Sequence, residues 1–216
     1  MVQKSNMEDT DMTKLILVAA ITGHILCGTG DVLLSYSPSG RLDLKGGLKD
    51  AARMREVFAD LPLSYPLASA LLGVFGITLF GFGYLELAKW MGEFSHTASV
   101  IMYVSSVVFI VPIVVHHVIC ALVEWFYIRL VRTDEVRDAV FEFQIKTIST
   151  TIVGYLGVAV FLVTLFVMIV TGKTSLPQWA CVFNTLPLML ILMPAKFASK
   201  GNIAGAVMFL GLFFLI

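Results

Sequence analysis

The chain of 216 residues is 58% hydrophobic and only 14% charged, with a mean hydropathy of +0.89 and a formal net charge of zero. A soluble domain needs far more polar surface than this, so the composition points to a chain solvated by lipid over most of its height. The neutral balance, without any basic–aromatic cluster, gives no sign of a nucleic-acid partner, and the length suits one bundle rather than two domains.

Residues 1–14 carry Lys4, Glu8, Asp9, Asp11 and Lys14, a mixture that does not make the basic start of a signal peptide. The apolar stretch that follows is too long for a signal core and reads as a retained first span. A crossing needs roughly 20 apolar residues. On that measure about six spans are expected, near residues 15–36, 65–91, 99–131, 151–171, 176–194 and 202–216, forming an all-α polytopic transmembrane bundle. The third is too long to stand upright, and Pro112 within it leaves the Val108 carbonyl without its donor. The sixth is short and calls for a thinned bilayer or a partly re-entrant path.

Basic residues orient these spans. Eleven of the fifteen lie on one side, in the connections after the first, third and fifth spans or at the end of the third: Arg41, Lys45, Lys49, Arg53, Arg55, Arg129, Arg132, Arg137, Lys146, Lys196 and Lys200. Lys4, Lys14, Lys89 and Lys173 lie on the other side. The positive-inside rule then places both termini outside. In the first connection, the segment near 42–60 has Lys45, Lys49 and Arg53 at four-residue intervals and an apolar stripe of Met54, Val57, Phe58 and Leu61. Two readings stand side by side: a helix lying on anionic headgroups, or one packed across the base of the bundle. The charged stretch 133–146 reads as a solvated helical extension.

Glycines recur within the spans, among them Gly73, Gly76, Gly81 and Gly83 in the second, where they let backbones approach closely. Gly201 and Gly205 form a GxxxG pattern that leaves a homo-oligomer open. Trp90, Trp125, Trp179, Tyr36, Tyr65 and Tyr127 fall mostly at span ends, where interfacial aromatic belts form.

Ionisable side chains at membrane depth cost a few kcal/mol each, so those present need an explanation. His24 and Asp31 lie in the first span, and His116, His117 and Glu124 in the third. The octapeptides His24-Ile-Leu-Cys27-Gly-Thr-Gly-Asp31 and His117-Val-Ile-Cys120-Ala-Leu-Val-Glu124 share the pattern H-x-x-C-x-x-x-[D/E]. Offsets of three and seven fall on one helical face, so each helix presents histidine, thiol and carboxylate in a stripe. If the two helices are neighbours, Asp31 faces Glu124 in a lower tier and His24 faces His116 or His117 in an upper one. Two carboxylates in one low-dielectric site cannot both ionise cheaply, so one is expected to hold a proton and the pair can supply an acid and a base. The structural alternative is interhelical hydrogen-bond glue.

Cys27, Cys120 and Cys181 sit in apolar runs, an odd count without framework spacing, and read as reduced core thiols. Histidine, cysteine and carboxylate belong to zinc's ligand set, yet no HExxH or paired CxxC marks a metal site, and no motif demands a cofactor. Glu86 has Lys89 three residues on as an ion-pair partner, His96 falls in a short outer turn, and Asn184 and Asn202 are expected to pair with helix backbone. Neither a Walker A loop, a G-x-S-x-G elbow nor a dinucleotide fingerprint is present.

The first span with its Gly28-Thr29-Gly30-Asp31 end, the basic connection and the His116-His117…Glu124 span resemble a bacterial family of small multi-span proteins known only as a domain of unknown function. That resemblance implies the bacterial inner membrane and nothing about activity. The histidine–carboxylate pairing is also similar to sterol-isomerase-type membrane enzymes, but the number and order of motifs carry no residue across. The leading expectation is a membrane-embedded acid–base enzyme acting on a lipophilic small molecule that enters from the lipid. A proton- or cation-coupled carrier comes second, and a non-catalytic scaffold or sensor working through the basic helix third.

Overall fold

The computed structural model describes residues 2–41 and 50–216, with side chains from residue 11 onward. Among these residues the chain forms α1 (Val2–Ser35), a two-stranded hairpin of β1 (Tyr36–Ser37) and β2 (Gly40–Arg41), α2 (Ala51–Ala59), α3 (Ser64–Met91), α4 (His96–Arg129), α5 (Asp134–Lys146), α6 (Ser149–Val170), a 3-10 segment (Gln178–Phe183), α7 (Thr185–Leu192) and α8 (Lys200–Leu215). Four stretches are long and apolar enough to cross a membrane: Asp11–Ser35, Ser64–Met91, His96–Arg129 and Asp134–Val170, the last joining α5 to α6. Large apolar side chains such as Leu71, Phe75, Val104, Val111, Leu156 and Val163 face outward, as a lipid-solvated surface requires.

The helices close into a ring. α1 packs on α3, α3 on α4 and α4 on α6; the 3-10 segment bridges α6 to α8, and α8 returns to α1. Small residues set the closest approaches. A Cβ on Gly23 would lie 2.5 Å from the Gly76 carbonyl, so α1 and α3 touch backbone to backbone. A Cβ on Gly157 would lie 2.7 Å from the Phe109 amide, which seats α6 on α4 beside the helical turn that Pro112 leaves without a donor.

α3 therefore stands between α1 and α4 over most of their length. The expected adjacency of the first and third spans reduces to a narrow contact at one level.

The expected fifth span is not one helix. Pro177 and Asn184 take extended conformations (φ −62°, ψ 143° and φ −64°, ψ 142°) and bound the 3-10 segment, after which α7 runs for only eight residues. Asn184 serves both sides of this break, as its expected backbone role requires. Its Nδ2 donates to the Leu162 carbonyl at 2.9 Å and its Oδ1 accepts from the Leu186 amide at 2.9 Å. The expected sixth span is α8, sixteen residues long. At its start Gly201 has open space, whereas a Cβ on Gly205 would fall on the His24 imidazole, so the GxxxG pattern is spent partly on packing within the chain.

The basic connections gather at one end. Arg41 Nη1 donates to the Lys196 carbonyl at 2.8 Å, Arg55 pairs with Asp134 at 2.6 Å, and Arg132 Nε donates to the Phe58 carbonyl at 2.9 Å. Within the 42–60 segment, Lys45 and Lys49 lie outside the described residues. Its helix, α2, starts at Ala51, where the Asp50 side chain caps the Arg53 amide. Met54, Phe58 and Leu61 are buried against Tyr127 and Ile128 of α4, so the apolar stripe packs across the bundle base. Tyr127 and Trp90 are likewise interior residues rather than belt residues, whereas Trp179 is exposed. At the opposite end, Glu86 accepts from the Thr13 hydroxyl at 2.7 Å and pairs with Lys89 at 3.4 Å.

Candidate functional site

The ring encloses a cavity of about 540 Å³. His24, Asp31, His116, His117 and Glu124, the five ionisable residues singled out in the sequence, all line it, together with Cys27, Cys120 and Asn202. Apolar and aromatic side chains make up most of the wall: Phe80 and Tyr84 from α3, Phe109 from α4, and Tyr155, Val158 and Leu162 from α6. Arg41 and Lys200 line the cavity at the basic end of the bundle.

The α1 stripe is organised by a residue the sequence reading assigned to backbone pairing. Asn202, in the first turn of α8, reaches all three polar side chains of that stripe. Its Nδ2 donates to Asp31 Oδ2 at 2.8 Å and to Cys27 Sγ at 3.5 Å, and its Oδ1 accepts from His24 Nδ1 at 3.0 Å. The carboxylate decides the amide's orientation: turned over, the Asn202 oxygen would face another acceptor. With Nδ1 donating, His24 Nε2 presents a lone pair, and it has no protein partner among the described residues. The ring is stacked on Phe80 with centroids 4.3 Å apart. His24 does not meet a histidine of α4 as expected, because α3 and α8 occupy its two flanks.

His117 takes a different course. It is buried, and the Gly73 position on α3 has no Cβ to block it; one built there would fall on the imidazole. Through that gap the ring reaches α1, its Nε2 donating to the Ser69 carbonyl at 3.0 Å and its Nδ1 lying 3.6 Å from Asp31 Oδ1. The expected tiers are thus offset. Asp31 is level with His117, and no hydrogen bond joins it to Glu124, which sits two helical turns, about 10 Å, farther along α4.

The remaining polar groups of α4 form a separate chain. Thr150 spends its hydroxyl proton on the Thr147 carbonyl at 2.8 Å, so at 3.4 Å it accepts from His116 Nδ1. His116 Nε2 is then the acceptor for the Cys120 thiol at 3.4 Å, and Gln144 Nε2 donates to the same sulfur at 3.5 Å. Glu124 is buried, and its Oε2 has no hydrogen-bond partner among the described residues. A buried carboxyl oxygen in that state is costly unless something in the cavity completes it.

The family model described as "Family of unknown function (DUF6796)" matches residues 4–215, and the chain belongs to that family. Neither a curated protein nor a solved structure matches it.

Proposed function

We propose that this member of the family is a multi-pass protein of a bacterial inner membrane and an enzyme that carries out acid–base chemistry on a lipophilic small molecule held in the central cavity. The observation that carries this reading is the convergence of five ionisable side chains on one largely apolar cavity of about 540 Å³, a volume that suits a small ligand. Two polar atoms of residues that line the wall, Glu124 Oε2 and His24 Nε2, are buried without a hydrogen-bond partner among the described residues. Glu124 then acts as the proton donor or acceptor at one level of the cavity. Asp31 and His117 face the cavity at the other level, with Oδ1 and Nδ1 3.6 Å apart.

Six crossings with both termini outside fit the basic end of the bundle facing the cytoplasm. At 2.0 Å per residue for the 3-10 segment and 1.5 Å for α7, the broken fifth crossing spans about 24 Å, and the sixteen residues of α8 span about the same, so both require a locally thinned bilayer. Cysteines placed at Glu93 and Ser39 test this orientation. A membrane-impermeant thiol reagent should label the first from the cell exterior and the second only from inverted vesicles; the opposite pattern would reverse it.

Catalysis is tested by incubating the purified protein with bacterial lipid extract and following mass-resolved conversion. A product formed by the wild type and absent with Glu124→Gln or Asp31→Asn supports the enzyme. Equal conversion by the wild type and both variants refutes it.

One observation favours a carrier as the second reading. Discontinuous helices beside a central site are a recurring transporter device, and the break between the 3-10 segment and α7 adjoins the cavity through Thr185 and Met189. Lipid-extract components taken up by proteoliposomes only under an imposed proton gradient would support that alternative.

A further inference from the structure

Cys27, Asp31 and His117 bring one thiol, one carboxylate and one imidazole together, with their ligand atoms all within 4.8 Å of one another. We infer that they form the binding site for a single zinc-class divalent ion, with the fourth coordination position open to the cavity.

Four features of the geometry carry this. First, the separation of His117 Nδ1 from Asp31 Oδ1, 3.6 Å, is too long for a hydrogen bond. It is close to the spacing of about 3.4 Å expected between two ligands held roughly 2.1 Å from one tetrahedral zinc ion.

Second, the Ser69 carbonyl can only accept, so the His117 proton on that side resides on Nε2 and a neutral ring turns its Nδ1 lone pair toward Asp31 and Cys27. A ligating histidine whose other ring nitrogen donates to a backbone carbonyl is the usual supporting arrangement.

Third, Asn202 directs its amide hydrogens at Cys27 Sγ and Asp31 Oδ2 together, as suits two anionic ligand groups, and leaves Asp31 Oδ1 facing His117.

Fourth, a thiolate and a carboxylate together cancel the charge of a divalent ion, which lowers the cost of placing all three in a low-dielectric wall. Thiolate with imidazole and carboxylate selects zinc over magnesium or calcium.

Cys120, by contrast, donates its thiol proton to His116 and accepts from Gln144, with no carboxylate sharing that amide, so the two octapeptides part company here. All three ligands line the cavity. The open position therefore faces any occupant, where the ion can bind water or an anionic oxygen. The inference stands apart from the enzyme reading, because metal content is measured without turnover.

The test is cobalt and zinc loading of the detergent-solubilised full chain, followed by dialysis. The wild type should retain a single zinc per chain. Its cobalt form should show a thiolate-to-metal charge-transfer band that is lost in Cys27→Ser and kept in Cys120→Ser. Asp31→Asn and His117→Gln, both nearly isosteric, carry the test if Cys27→Ser does not fold, and each should weaken cobalt retention by more than about tenfold. A wild type that retains neither metal would overturn the site, as would a band that survives in Cys27→Ser or disappears in Cys120→Ser. So would undiminished retention in Asp31→Asn and His117→Gln. Metal retention without lipid conversion would leave the site standing and remove only the enzyme.

Discussion

Asn202 Nδ2 donates to Asp31 Oδ2 at 2.8 Å, joining the first turn of α8 to the end of α1 across 171 residues of chain. The same amide group serves Cys27 and His24, so one side chain fixes the whole polar stripe of α1. Asn202→Ala removes partners from a carboxylate, a thiol and an imidazole at once. Losing one partner of a buried polar group costs about 1–3 kcal/mol, so a clear drop in melting temperature in detergent is expected. Asn202→Asp should be worse, because it sets a second carboxylate against Asp31. Melting curves of the two variants, read beside the wild type, check both statements.

Glycine substitutions separate the positions where backbone space matters from the one where it does not. Gly73→Ala puts a methyl group where the His117 ring passes, and Gly205→Ala puts one on the His24 ring. Both should lose stability by about 1–3 kcal/mol, as overpacked cores do, and Gly73→Ala should also displace His117 from Asp31. Gly201→Ala meets nothing within 4 Å and should be neutral or stabilising by up to about 1 kcal/mol through helix propensity. Thermal melts of the three single variants give the comparison.

The bundle base gives a different contrast. Phe58 is 1% exposed and packs edge-on against Tyr127 with centroids 5.4 Å apart. Phe58→Ala should cost about 3–5 kcal/mol and release α2, seen as faster proteolysis between α1 and α3. Arg55, in the same helix, makes an exposed pair with Asp134, and Arg55→Ala should cost less than about 1 kcal/mol.

Much of this architecture was legible in the hydropathy of the chain, because a span announces itself by length and apolarity alone. The first four spans correspond to α1, α3, α4 and α6 to within a few residues, apart from the N-terminal extension of α1. All five expected ionisable residues reach one cavity, because their helical spacing already put them on single faces. Which helices are neighbours was not legible, since hydropathy carries no lateral information. The interposition of α3 depends on Gly73 and Gly76, whose missing side chains let α1 approach and His117 pass. Those glycines were visible, and read as contact points for two different helices they would have signalled the offset between Asp31 and Glu124. Asn202 was overlooked because an asparagine at a helix start ordinarily serves the local backbone. Its role here arises from a partner helix far away in sequence. The break at Asn184 lay hidden in an apolar run that Pro177 and Pro187 punctuate.

The most direct test of the cavity as a ligand site is native mass spectrometry of the detergent-purified wild type beside Asp31→Asn and Glu124→Gln. The account predicts a lipophilic adduct on the wild type that is missing from both variants, while all three melt at similar temperatures. Identical adduct-free masses for the three proteins would contradict it, and so would an adduct that both substitutions leave in place.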